Sequence, residues 1–203
     1  MADRNVIAII PAKEHSRRCP GKNFRDFCGL PLYLWSVRQA KNNPLIDTVV
    51  VSTDRDRDDI DEETWSAGVD LVIDRPPILA TDAATTADVC LHAAWECNRS
   101  SGLVPDTIVL LQPTSPLRTQ AQITRCVAGG QDYTVGRNGQ PDGAVYTTSY
   151  EQLRSSRSFF RGLSIMYWEV CVDIDTPEDF EEAEEIMRSR MDGKSLHEYL
   201  QSV

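Results

Sequence analysis

The chain has 203 residues, 41% of them apolar and 26% charged, with a formal net charge of −10. This length and mix predict one compact domain spanning 1–203, with enough chain for a sizeable core, and exclude a low-complexity or disordered protein. The acidic balance argues against a nucleic-acid or membrane partner, because phosphate surfaces reward broad basic faces, and favours a small anionic ligand held at a local positive cluster.

The first predicted element is an apolar strand, Val6–Ile10, which runs into Pro11-Ala12-Lys13-Glu14-His15-Ser16-Arg17-Arg18-Cys19-Pro20-Gly21-Lys22-Asn23. Four cations and the small hydroxyl of Ser16 sit at the carboxyl end of a strand, the edge of an α/β sheet where ligands bind. A turn of this composition suits phosphates, although a cationic loop is also an ordinary surface feature. Further strands are predicted at Thr48–Val51, Leu71–Ile73 and Thr107–Leu111, and helices at Leu32–Lys41, Asp58–Ser66 and Thr86–Asn98. The alternation of strand and helix, with strands that read as continuous Val/Ile/Leu runs, predicts a mostly parallel sheet in a three-layer α/β/α arrangement.

From Gly129 to Pro141 turn formers replace the periodic pattern, which predicts a loop or short hairpin. A short strand near Ala144–Thr147, a brief helix from Tyr150 and a strand ending at Val172 follow. A last helix starts at Pro177, signalled by Thr176 as N-cap and by Glu178 and Asp179 in the first turn, and begins a helical tail over 177–203. The acidic run Glu181 to Glu185 reads as its solvated face.

The six cysteines form no CxxC pair and have no histidine at zinc-ligand spacing, so they read as reduced thiols; Cys90 and Cys97 share one face of a helix as packing residues. Only five apolar residues follow the first five, which is too short for a secretory segment and predicts a cytoplasmic protein.

Three further segments fall after predicted strands. In Gln112-Pro113-Thr114-Ser115-Pro116-Leu117-Arg118 two prolines fix the backbone, either to stop a strand or to preset Gln112 and Arg118 for a ligand. Around Arg75-Pro76-Pro77 and Ala80-Thr81-Asp82-Ala83-Ala84-Thr85-Thr86 the spacing allows plain helix capping by Thr85 or Asp82, or a nucleobase read by Arg75 and the groups near Ala84 and Thr86. In Asp173-Ile174-Asp175 alternation sends both carboxylates to one face, roughly 6–7 Å apart at Cα. Such a pair suits Mg²⁺, which prefers hard oxygen ligands, or leaves one aspartate beside the Thr176 cap.

Together these segments resemble the cytidylyltransferases that activate acidic sugars, the CMP-N-acetylneuraminate (CMP-sialic acid) synthetase family. The carrying motifs are Ile9-Ile10-Pro11-Ala12 with Ser16 and Lys22-Asn23, Val51-Ser52-Thr53-Asp54, Arg75-Pro76 with Leu79-Ala80-Thr81-Asp82, Leu111-Gln112-Pro113-Thr114-Ser115-Pro116-Leu117-Arg118, and Asp173-Ile174-Asp175-Thr176-Pro177-Glu178-Asp179. Each is weak alone; five in order are strong. The resemblance implies a Rossmann-like nucleotidyltransferase domain that transfers CMP from CTP and releases pyrophosphate. It assigns Lys22 to the CTP phosphates, Asn23 to the ribose, and Arg75, Ala84 and Thr86 to cytosine. Gln112 would lie near the α-phosphate or acceptor, and Asp173 and Asp175 would bind Mg²⁺. Ala12, Lys13, Ser16, Arg17, Arg118 and Asp142 complete the implied substrate contacts. Catalysis would then rest on positioning and charge neutralisation in an in-line attack on the α-phosphorus.

The departures concern contact geometry and the acceptor. Lys13 and Arg17 stand where the family has arginine and lysine, which keeps the charge and changes the hydrogen-bonding fork. The stretch near 127–142 is shorter than the family's excursion, which there helps build the dimer and the acceptor pocket, so a monomer or a homodimer is open. Asp142 replaces an asparagine in Asp142-Gly143-Ala144-Val145-Tyr146 and, when ionised, only accepts hydrogen bonds. A smaller acidic acceptor is expected, with Arg118, Arg137, Arg154, Arg157 and Arg161 available to its charge. A phosphonate such as phosphonoformate stands ahead of a sialic or other ulosonic acid. The rivals are a sugar-1-phosphate nucleotidylyltransferase, whose glycine-rich opening loop is missing, and a nucleotide-binding regulatory domain without turnover.

Overall fold

The computed structural model describes residues 5–56, 59–60, 62–129, 133–135, 140–160, 164–166 and 172–200. In chain order its elements are β1 (Val6–Pro11), a two-strand ladder of β2 (Asp26–Phe27) and β3 (Leu30–Pro31), α1 (Leu32–Lys41), β4 (Thr48–Thr53), α2 (Glu62–Ser66), β5 (Leu71–Asp74), α3 (Thr86–Ser101) and β6 (Thr107–Leu110). They continue with α4 (Gln120–Gly129), β7 (Tyr133–Val135), β8 (Pro141–Ser149), α5 (Tyr150–Ser156), β9 (Ser164–Met166), α6 (Pro177–Met191) and α7 (Leu196–Leu200).

Seven strands form one mixed sheet in the order β5-β4-β1-β6-β8-β7-β9. The first four are mutually parallel, β8 runs antiparallel to β6 and β7, and β9 runs parallel to β7. The alternation of side chains along β1 decides the layers. Val6, Ala8 and Ile10 point into a core with α1, α4 and α6, whereas Ile7 and Ile9 point into a second core with α3 and α5. Because β1, β4 and β6 are covered on both faces, almost every residue in them must be apolar, which is why they read as unbroken aliphatic runs. No helix among the described residues is long and apolar enough to cross a membrane.

The predicted strands and α1 stand where the pattern put them, and Thr176 caps α6 in a full capping box with Asp179. Other elements add to or refine this pattern. Helix α4 and the β2–β3 ladder are additional, and α2 is described only over Glu62–Ser66. The predicted strand ending at Val172 falls on residues that lie mostly outside the described ones; β9 stands just before them and Val172 itself is in no strand. The predicted loop or hairpin after Gly129 is the β7–β8 antiparallel pair. Along α6, Glu181, Glu182 and Glu185 are exposed as expected, while Glu184 accepts from the Cys28 amide at 3.3 Å. Cys90, Cys97 and Cys126 are free and buried in the two cores; Cys171 lies outside the described residues.

The order places β1 at the point where the chain switches direction across the sheet. From β1 it proceeds to β4 and β5 on one side and returns to β6 on the other. The carboxyl ends of β1 and β6 therefore open a crevice between diverging loops, the place where open α/β sheets bind ligands.

Candidate active site

The loop after β1 is anchored before it reaches solvent. The Ala12 amide donates to the Ser52 carbonyl at 2.9 Å, the Glu14 amide to Asp54 Oδ1 at 2.8 Å, and Asn23 Nδ2 to the Lys13 carbonyl at 2.8 Å. Gly21 turns the chain at a φ of 67°, in the left-handed region, and starts a single 3₁₀ turn over Lys22–Phe24 that sends Lys22 and Asn23 inward. Asn23 Oδ1 is buried without a hydrogen-bond partner among the described residues.

A cleft of about 730 Å³ lies over this loop. Lys13, Ser16, Arg17, Arg18, Lys22 and Asn23 line one wall, Arg75, Ala84 and Thr86 a second, and Gln112 with Thr114 a third. Nine of the residues expected from sequence thus share one cavity: Lys13, Ser16, Arg17, Lys22, Asn23, Arg75, Ala84, Thr86 and Gln112. Ala12 is buried beside the loop it anchors.

Each cation of the loop has an acidic partner. Asp82 receives Lys13 Nζ at 2.8 Å on one oxygen and Arg17 Nε at 2.5 Å on the other. The Lys13 hydrogen bond, then the charges of Lys13, Arg17 and Arg18, hold the Asp82 carboxyl below the usual range. Arg18 Nη1 reaches Asp175 Oδ2 at 2.7 Å. Lys22, only 7% exposed, donates to the Ile174 carbonyl and lies 3.4 Å from Asp175 Oδ1. Sequence reasoning saw Arg18 as one of four loop cations and Asp82 as a capping candidate; the cap of α3 is Thr85, and Asp82 faces the loop.

The second wall is set by Arg75, whose Nη2 donates to the Ser52 carbonyl at 2.5 Å and whose Nε donates to Ser52 Oγ at 3.2 Å. Burial lowers its pKa and the Asp54 charge opposes that shift. Its guanidinium is thereby fixed against the end of β4.

The Asp173–Asp175 segment joins the third wall. The Ile174 amide donates to the Thr114 carbonyl at 2.8 Å, with the Ile174 side chain fully buried in the core. Although the Asp173 side chain meets solvent, the protein behind its carboxyl raises its pKa by desolvation; a Thr114 hydrogen bond opposes this, and the Asp175 charge adds to it. Gly143 passes close by in the left-handed region at a φ of 74°. A Cβ there would stand 2.8 Å from Ser115 Oγ and 3.6 Å from Asp173 Cγ.

Arg118 and Asp142 take positions other than the expected substrate contacts. Arg118 is 3% exposed and points away from the cleft, donating from Nε to the Ala144 carbonyl at 2.6 Å and from Nη1 to Ser36 Oγ and Gln39 Oε1 at 2.7 and 2.8 Å. Its Nη2 donates to the Gln112 carbonyl, so Arg118 holds the loop that presents Gln112. Asp142 Oδ1 accepts from the Ala144 amide at 3.0 Å and from Thr134, tying β8 to β7. Of the other arginines considered for the acceptor, Arg157 pairs with Asp88 at 3.0 Å; Arg137 and Arg161 lie outside the described residues.

A smaller cavity of about 230 Å³ adjoins the cleft at Thr86 and Gln112. Tyr146, Phe159 and Phe160 line it with Arg157. Of these rings only Tyr146 stands in a motif quoted from sequence; for Phe159 and Phe160 the adjacent aromatic pair after the helix predicted from Tyr150 was the available signal.

The chain is similar to known proteins over the same elements. A CMP-N,N'-diacetyllegionaminic acid synthase of Legionella pneumophila is 25% identical over 225 residues, covering 90% of this chain and 96% of that protein. An N-acylneuraminate cytidylyltransferase of Escherichia coli is 26% identical over 228 residues, 91% of this chain, which spans 52% of that longer protein. The fold matches a solved CMP:2-keto-3-deoxy-manno-octonic acid synthetase complexed with CTP at a TM-score of 0.62 and 14% identity, over 92% of this chain and 99% of that one. The sequence pattern of the Cytidylyltransferase family matches residues 7–129, which hold the cationic loop, the Arg75 wall and the Gln112 loop. With that match across more than half of its length, the chain belongs to the cytidylyltransferase family and is a CTP-dependent nucleotidyltransferase.

Proposed function

We propose that the protein transfers CMP from CTP, with Mg²⁺, to an oxygen of a small acidic acceptor and releases pyrophosphate. The observation that carries this reading is the convergence of Lys13, Arg17, Arg18 and Lys22 on one cleft beside the Asp173–Asp175 pair. A triphosphate supplies the negative charge that four cations in a mostly acidic protein otherwise find in Asp82 and Asp175.

Lys22 and Arg18 neutralise charge on the departing pyrophosphate, with Lys13 and Arg17 on the outer phosphates. Asn23, whose buried Oδ1 lacks a partner among the described residues, accepts from a ribose hydroxyl. Arg75, with the Ala84 and Thr86 wall, holds cytosine, and Gln112 lies between nucleotide and acceptor. Asp173 and Asp175 fit Mg²⁺: they are two hard carboxylates flanking one buried residue, and desolvation, with the Asp175 charge adding to it, raises the Asp173 pKa, a tension that a divalent cation relieves. When bound, the ion supplies positive charge to phosphate oxygens. The acceptor oxygen attacks the α-phosphorus in line, and the bond to the β-phosphate oxygen breaks as pyrophosphate leaves.

The 230 Å³ cavity next to Gln112 is the acceptor's place, with Arg157 for its acid group. Its size favours a small phosphonate such as phosphonoformate, whose oxygen is already anionic and needs no base. A second reading, a ulosonic acid, is favoured by the rings of Tyr146, Phe159 and Phe160, which suit an apolar substituent, and by the legionaminic acid synthase relative. Pyrophosphate release from CTP and Mg²⁺ is measured with phosphonoformate, N-acetylneuraminate and an eight-carbon ulosonic acid in parallel. Release with phosphonoformate alone supports the first reading, and release with a sugar acid alone the second. Silence with all three while CTP binds would point to a regulatory nucleotide-binding domain.

A further inference from the structure

Behind the Gln112 loop, on the face of the sheet away from α3, lies a second cavity of about 260 Å³. Trp35 of α1, Met187 of α6, and Tyr199 and Leu200 of α7 make its apolar walls, and Arg38 and Arg190 line it as well, Arg190 with its Nη1 donating to the Leu117 carbonyl at 2.6 Å. No carboxylate is among its described lining residues. Arg38 Nε is buried in the wall, without a hydrogen-bond partner among the described residues, and a desolvated guanidinium nitrogen without a partner is costly.

The start of α4 adds to this polarity. Gln120 and Ala121, its first two residues, line the cavity, and its first turn holds no acidic side chain. The positive end of a ten-residue helix thus shares the chamber with the two arginines. An apolar cavity of roughly 150 Å³ accepts one benzene ring. This chamber therefore holds a ring and a short arm ending in an anion.

From this geometry we infer a binding site for a small organic anion with an aromatic or bulky apolar body, its carboxylate on Arg38 and its body against Tyr199 and Leu200. The site is separate from the CTP cleft but touches its scaffold. Gln39 and Arg118 line the chamber and also hold the Gln112 loop, Gln39 Nε2 donating to the Pro116 carbonyl at 2.8 Å.

The test is ¹⁹F NMR titration of the full chain with 4-fluorophenylacetate, beside the neutral 4-fluorophenylacetamide. Saturable binding of the acid is expected below about 10 mM, at least roughly tenfold tighter than the amide. Arg38→Leu should weaken it at least roughly tenfold, and Ala121→Trp, which fills the chamber mouth, should abolish it. The Lys13→Gln/Arg17→Gln variant of the cleft should bind the acid as the parent does. Equal binding of acid and amide, unchanged binding in folded Arg38→Leu or Ala121→Trp, loss in the cleft variant, or no saturable binding would each overturn the inference. Thermal unfolding of every variant is read first; should Arg38→Leu not fold, Ala121→Trp and the amide carry the test.

Discussion

The Ile174 amide donates to the Thr114 carbonyl at 2.8 Å, which ties the Asp173–Asp175 segment to the loop that carries Gln112. The bond keeps both carboxylates next to Lys22 and Arg18 without engaging either side chain. On the proposed two-carboxylate Mg²⁺ site, Asp175→Ala removes one ligand oxygen and no core contact, since Asp175 is partly exposed while Ile174 is buried. Turnover is expected to fall on the order of 10²–10³-fold with the melting temperature nearly unchanged. Initial pyrophosphate release and a thermal melt check it, and full activity would remove the two-carboxylate metal site.

Lys22 is held by the Ile174 carbonyl and Asp175, so its ammonium is already in position before substrate arrives. Preorganised charge of this kind acts on the transition state. Lys22→Met is expected to lower kcat on the order of 10²-fold and CTP affinity much less. Calorimetric titration with CTP separates the two; an equal loss in both would make Lys22 a ground-state contact only.

Arg118 and Gln112 should fail differently. Arg118→Met leaves the carbonyls of Ala144 and Gln112 and the side chains of Ser36 and Gln39 short of a donor in a buried setting. Each lost partner costs about 1–3 kcal/mol, so a drop of several degrees in melting temperature is expected together with lost activity. Gln112→Ala should lose activity at nearly constant stability. Equal melting temperatures for the two variants would contradict the scaffold role of Arg118.

The contrast between these residues shows what the sequence carries. Strands β1, β4, β5 and β6 are legible because burial on both faces leaves an aliphatic run, and α6 because Thr176, Pro177 and Asp179 spell its start. Helix α4 is not: of its ten residues only Gln122, Ile123 and Cys126 are buried, too few apolar positions for a 3.6-residue period. The loop cations are legible as a local cluster, yet the pairing of Lys13 with Asp82 spans 69 positions and depends on the sheet order. Arg118 illustrates the same limit: its place in a motif does not say whether a guanidinium faces a ligand or a ring of carbonyls.

Thiol chemistry gives a pH prediction. Burial pushes the Cys28 and Cys97 thiols up to about 11 and those of Cys90 and Cys126 up to about 12, from an ordinary 9.0. The thiolate is the reactive form, so at pH 8 these four should resist alkylation in the folded protein and react on denaturation, as peptide mapping would show. Folded pKa values above the unfolded value favour the protonated native state. The contribution is whole below pH 9 and lost as pH rises from 9 to 12, so stability should fall over that window and less so in Cys90→Ala. Rapid labelling of Cys90 at pH 8 without unfolding would contradict its burial.

Asp82 neutralises Lys13 and Arg17 at the mouth of the cleft, and a triphosphate bound there competes with it for both cations. Asp82→Asn keeps the size of the side chain and releases the two charges. The pair is solvent-exposed, so the gain is modest: CTP affinity should rise roughly two- to fivefold at low salt, and the difference should shrink as salt screens the cations. If Asp82 instead holds the loop in its binding shape, the same variant loses affinity at every salt concentration. Titrations with CTP at two ionic strengths distinguish a competing counter-ion from a structural strut, because only the first makes removal of the carboxylate favourable.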